Sequence, residues 1–127
     1  MAFGSNDKII WKTTCIHGCT VTLYEEDWVG HVLVRHPEMK GQEETVKRAV
    51  EDPHHMREGD YPDSRAFEIP SITNPNGIRA FVRYEREMFI DGGIDGLVTT
   101  AYPIDPKIKS KVGPIIYTKP AVSEKDK

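Results

Sequence analysis

No apolar run in this 127-residue chain approaches the roughly 20 residues that a membrane-crossing helix requires. The opening stretch, Met1 to Lys8, also lacks the basic and apolar regions of a secretory signal, so a cytoplasmic protein is expected. Cysteine is scarce. The two that occur stand in Cys15-Ile16-His17-Gly18-Cys19, and structural zinc normally asks for four ligands in recognised spacings. Only His17 and the adjacent His54-His55 pair are at hand, and adjacent histidines fit one ion poorly. The spacing reads better as a hairpin turn carrying two reduced structural thiols, with a metal knuckle and a cross-hairpin disulfide as the alternatives. No metal and no cofactor are expected. Excess positive charge is missing too, since 17 Lys and Arg face 20 Asp and Glu for a net −3. That balance excludes a protein that coats nucleic acid by bulk attraction, and any anion site must be local. Neither a repeat nor a low-complexity block is visible.

What is present suits one soluble domain, with 38% hydrophobic and 29% charged residues. Lys8 to Cys15 and Thr20 to Tyr24 are β-branched and aromatic, which predicts an opening hairpin. Acidic Glu25, Glu26 and Asp27 suit a helix N-terminus with Asp27 or a neighbour as cap, and that helix runs to about His36, where Pro37 ends it. Gln42 to Glu51 spaces Val46, Ala49 and Val50 as a second helix, stopped at Asp52-Pro53. His54 to Asp63 reads as a polar loop. Phe67 and Ile69 alternate in a strand, the turn Asn74-Pro75-Asn76-Gly77 follows, and residues 78–86 form the clearest strand. Ile78, Ala80, Val82 and Tyr84 share its inner face, and Arg79, Phe81 and Arg83 its outer one. Met88-Phe89-Ile90 can continue it, Asp91-Gly92-Gly93 turns the chain, and residues 97–102 form the last strand.

The expected architecture is α+β: a hairpin, two short helices, then an antiparallel sheet of about four strands with the helices on one face. Residues 1–105 form the domain. Residues 106–127 are expected as a Lys/Pro-rich tail, with a short edge strand over Val112 to Tyr117 and a disordered end.

Two constellations carry chemistry. On the first helix, at about 100° per residue, Trp28, Val32, Val29 and Leu33 form an apolar stripe whose centre falls between Val32 and Val29. His31 and Arg35 flank it one turn apart, and His36 falls inside it. On the last strand Thr100 and Tyr102 project side by side, and with Arg79 and Arg83 they make a set able to bind a phosphate.

The order Trp28, His31, Arg35-His36-Pro37-Glu38, then Val46-Lys47, Ala49-Val50-Glu51-Asp52-Pro53, an Arg-bearing strand and Val98-Thr99-Thr100-Ala101-Tyr102 resembles a known group. It is similar to the phage and bacterial nuclease-like domains grouped with barnase, EndoU, colicin and RelE toxins, over residues 24–103. The resemblance implies a small α+β fold and metal-independent RNA cleavage in a toxin-like or phage-related setting. It implies that His31 is the helix-borne imidazole, with Arg35 or His36 the basic group beside it. Arg83 would be the strand cation, and Thr100 and Tyr102 the hydroxyl pair.

The expected reaction is transesterification, with His31 transferring protons, Arg35 and Arg83 holding phosphate, and Thr100 and Tyr102 positioning it. His36, Arg79 and Phe81 are expected to bind substrate, Phe81 by stacking on a base. RNA is the expected partner, a protein inhibitor or antitoxin a second one, and the sheet edge leaves a homodimer open. The alternatives are an inactive interaction module of the same fold and a metal-dependent hydrolase using His31, His36, His54 and His55.

Overall fold

Ile, Trp, Thr and Val suit a pleated, half-buried surface, and the two runs rich in them fold back on each other at the start of the chain. The computed structural model describes residues 8–16, 18–59, 63–71, 74–84, 95–107 and 112–120. Within it β1 (Ile9–Thr14) and β2 (Thr20–Tyr24) pair as an antiparallel hairpin. The Cys15 N–H donates to the Cys19 carbonyl at 2.7 Å and the Gly18 N–H to the Cys15 carbonyl at 2.8 Å, so the Cys15 to Cys19 stretch is the expected turn. Both cysteines are buried thiols.

Five further strands follow: β3 (His55–Glu58), β4 (Ser64–Ile69), β5 (Ile78–Tyr84), β6 (Asp95–Pro103) and β7 (Ile115–Thr118). All join one seven-stranded sheet in the order β1-β2-β6-β5-β4-β3-β7. The fold is α+β, but the sheet is larger than the four antiparallel strands expected, and it is mixed. The hairpin is the cause, because β2 docks parallel on β6 through Thr20, Val21 and Thr22. The segment expected as a loop over His54 to Asp63 contains β3. That strand is only four residues long and Met56 is its one buried position, so it carries little periodic signal. β7 pairs with β3, which extends the sheet beyond residue 105. The expected continuation through Met88-Phe89-Ile90, the turn at Asp91-Gly92-Gly93, Glu85, Arg86 and residues 121–127 lie outside the described residues.

The first helical stretch is broken into α1 (Glu25–Asp27), a π-helical turn over Trp28–Val32 and α2 (Leu33–Arg35). Its N-cap is Tyr24, without a side-chain cap bond, rather than Asp27. The Leu33 N–H reaches back five residues to the Trp28 carbonyl. A wide turn of this kind shifts the helical phase. Trp28 and Val32 stay buried, Val29 is expelled to 53% exposure, and Val34 stands 71% exposed. Preceding Pro37, His36 leaves helical geometry at φ −135° and ψ 72°, as the proline ring demands.

α3 (Glu43–Glu51) packs against β1, β4 and β5. Its Val46, Ala49 and Val50 join Ile78, Ala80, Val82 and Tyr84 of β5 in one core, so the inner face of β5 is the face expected. Trp11 ties the helix to β1 by donating its indole N–H to the Glu43 carbonyl at 2.9 Å. Among the described residues, no helix is long and apolar enough to cross a membrane.

Candidate active site

Side chains of directly paired residues project on the same side of a sheet. The register pairs His55 with Glu68, Glu68 with Arg79 and Arg79 with Tyr102, which lays four polar residues in one row across β3, β4, β5 and β6. A second row beside it holds Arg57, Ala66, Phe81 and Thr100. Both rows lie on the face opposite the helix-packed core, because Ile78, Ala80 and Val82 alternate with Arg79 and Phe81 along β5.

The centre of the row is Glu68, only 6% exposed. A buried carboxylate is costly unless it is paired and hydrogen-bonded, and this one is both. Its Oε2 accepts from Arg79 Nε at 2.7 Å and from Arg57 Nε at 2.9 Å, while Oε1 lies 3.7 Å from His55 Nδ1. Arg79 is itself 7% exposed. Burial alone would lower its pKa, but hydrogen bonds with Tyr102 and Glu68 and the charge of Glu68 outweigh this and raise it. Arg57 makes a second contact, donating from Nη1 to the Gly113 carbonyl at 3.3 Å.

Tyr102 joins the sheet to the first helical stretch. Arg79 Nη1 donates to its hydroxyl at 3.5 Å and the guanidinium carbon lies 5.9 Å from the ring centre. On another side the His36 ring stands 5.3 Å away, tilted by 41°. His36 reaches this place from the non-helical position between α2 and Pro37, where it is half-buried. Glu38 stands 3.8 Å from His36 Nδ1.

The structure thus brings together His36, Arg79, Phe81 and Tyr102, with Thr100 next to them on the same face. Phe81 is 8% exposed and packs 5.9 Å from the Tyr102 ring, so it backs the tyrosine instead of offering a face to a base. Arg83 belongs to the same face but lies four residues along β5 from Arg79, roughly 13 Å at the usual strand rise, where it pairs with Asp63 at 3.4 Å. Among the described contacts, none links His31, half-buried in the π-helical turn, or exposed Arg35 to the row.

Glu68 and Arg57 are not among the residues that the sequence pattern marks, and His55 stands out there only as a metal ligand. A signal exists for Glu68, a lone carboxylate alternating with Phe67 and Ile69 on a strand beside an arginine-bearing one. Nothing marks Arg57, because its strand is not legible. Among the described residues, no group of three or more His, Cys, Asp or Glu side chains gathers as a metal site.

A cleft of about 170 Å³ opens at the β3 and β4 end of the row, where His55 and Glu68 form part of its wall. His54 is also there, its ring 4.6 Å from that of His55 in an edge-to-face arrangement. The chain was compared with family models, curated proteins and solved structures, and nothing matches it in any of the three.

Proposed function

We propose that this protein is a metal-independent endoribonuclease whose reaction centre is the Glu68, Arg79, Tyr102 and His36 cluster. One observation carries this reading. Two guanidiniums, Arg57 and Arg79, converge on the buried Glu68 carboxylate beside a phenol and an imidazole, in a protein of net charge −3. Low dielectric strengthens such charges, and fixed donors need no reorganisation when negative charge develops on a phosphoryl oxygen.

In the proposed reaction the ribose 2′-oxygen attacks the adjacent phosphorus, its proton passing to His36. The bond to the 5′-oxygen breaks, and that oxygen takes a proton from the Tyr102 phenol. Arg79, 3.5 Å from the phenol oxygen, stabilises the phenolate left behind. Proton transfer is assigned to His36 rather than His31 because His36 is the imidazole in ring contact with Tyr102. Arg57, more exposed than Arg79, is suited to meet the substrate phosphate directly. A toxin-like or phage-related role and control by a protein inhibitor belong to the same proposal.

An inactive interaction module is the second reading, favoured by Ile115 and Ile116, which stand 44% and 43% exposed on β7 at one end of the sheet. Incubating the protein with an oligoribonucleotide, with and without EDTA, separates the readings. The nuclease proposal expects cleavage that survives the chelator and leaves 2′,3′-cyclic phosphate ends. Activity lost on chelation supports a metal-dependent hydrolase, and no cleavage in either condition supports the module.

A further inference from the structure

We infer that the cleft beside His55 is a subsite for one unpaired nucleobase, an inference that rests on the nuclease reading. Size is the first argument. At about 170 Å³ the cleft is well below the roughly 300 Å³ at which pockets accept drug-sized ligands, so it suits a single ring system rather than a whole nucleotide. Its lining is the second. Ile69, Pro70, Pro75 and Ile104 supply apolar walls, and polar groups are confined to Glu68, the two imidazoles and Asn76. Apolar surface together with hydrogen-bonding groups is what a base needs, since its faces stack and its edge hydrogen-bonds.

Polar groups at the cleft can meet the edge of such a base. Glu68 Oε1 lies 3.7 Å from His55 Nδ1, and both residues line the cleft. The Asn76 amide adds one acceptor and two donors. Acceptor and donor together complement the paired donor and acceptor on the Watson–Crick edge of adenine, cytosine or uracil alike.

Position is the third argument. His55 and Arg79 are two strands apart in the row, about 10 Å at the usual spacing, which is the span from a phosphate to the far edge of the base it carries. A phosphate at Arg79 and Tyr102 would place its base at the cleft. Asn76 sits at the exposed tip of the β4 to β5 turn, where the Gly77 N–H donates to the Asn74 carbonyl at 2.8 Å without using the Asn76 side chain.

The test is titration of the ¹⁵N-labelled protein with adenosine, cytidine, uridine and inorganic phosphate, following the backbone amides of His54, His55, Ile69, Asn76 and Ile104. Adenosine, cytidine and uridine are expected to shift these signals, and phosphate not at all. Asn76→Ala and His54→Ala are each expected to weaken adenosine binding by about tenfold, the scale of one lost base contact. Unmoved cleft signals with every nucleoside, or inorganic phosphate shifting them as strongly as a nucleoside, would overturn the subsite. If RNA is cleaved while the cleft stays silent, the subsite falls and the nuclease reading stands. If nucleosides bind as expected but RNA is not cleaved, the subsite stands and the nuclease reading falls.

Discussion

Glu68 is the residue on which the polar face depends. Removing a carboxylate bonded to two guanidiniums takes an ion-pair partner from buried Arg79, typically a loss of about 3–5 kcal/mol. Glu68→Ala is therefore expected to lower the unfolding free energy, measured by urea titration, by an amount in that range, and Glu68→Gln to lose less because its amide oxygen still accepts a bond. Parent-like stability of Glu68→Ala would contradict the burial argument. A second residue-scale effect belongs to the buried thiol and phenol on the other face. Burial, with Cys15 close by, pushes the Cys19 thiol up from 9.0 to about 12, and burial beside Cys15 also raises Tyr84. Both groups bind protons more tightly folded than unfolded. Their stabilisation is complete below pH 9 and is lost as pH rises toward 12. Unfolding free energy should thus decline above pH 9, and the decline should flatten in Cys19→Ser and in Tyr84→Phe. At this scale the sequence shows residue types but not partners: Arg79 and Tyr102 are legible as candidates, whereas their link through Glu68 depends on strand register.

Among the elements, the first helical stretch shows where pattern reading stops. A regular period places Val29 in the buried stripe, and the wide turn at Trp28–Val32 expels it. Gly30 lies within that turn, and a Cβ built there meets nothing within 4 Å. Gly30→Ala should stabilise the protein by about 0.5–1 kcal/mol, since glycine is the costlier residue in a helix. Gly96 in β6 is the contrasting case, because a Cβ there would come within 2.8 Å of Val82 Cγ1 and 2.9 Å of the Tyr84 ring. Gly96→Ala should destabilise by about 1–3 kcal/mol through overpacking. Thermal unfolding of the two variants checks both signs, and stabilisation by Gly96→Ala would show that this contact relaxes freely. α3 is legible to its ends because Val46, Ala49 and Val50 keep helical spacing and Asp52-Pro53 stops it, while the four-residue strands β3 and β7 offer too few alternations to read.

For the whole molecule, the parallel docking of β2 on β6 is beyond local pattern, because it joins segments separated by every helix and three strands. The same limit governs the site. His36 and Tyr102 lie far apart in sequence and meet only because the first helical stretch packs beside β6. His31, the more prominent imidazole in the sequence, makes no such contact among the described residues. The measurement that bears most directly on the proposed centre is the rate of oligoribonucleotide cleavage in EDTA by the parent, His36→Ala and His31→Ala. The expected result is cleavage by the parent, a loss of about 10²–10⁴-fold in His36→Ala, the usual worth of a proton-transfer group, and near-parental activity in His31→Ala. Parental activity in His36→Ala, or no cleavage by the parent, would contradict the assignment.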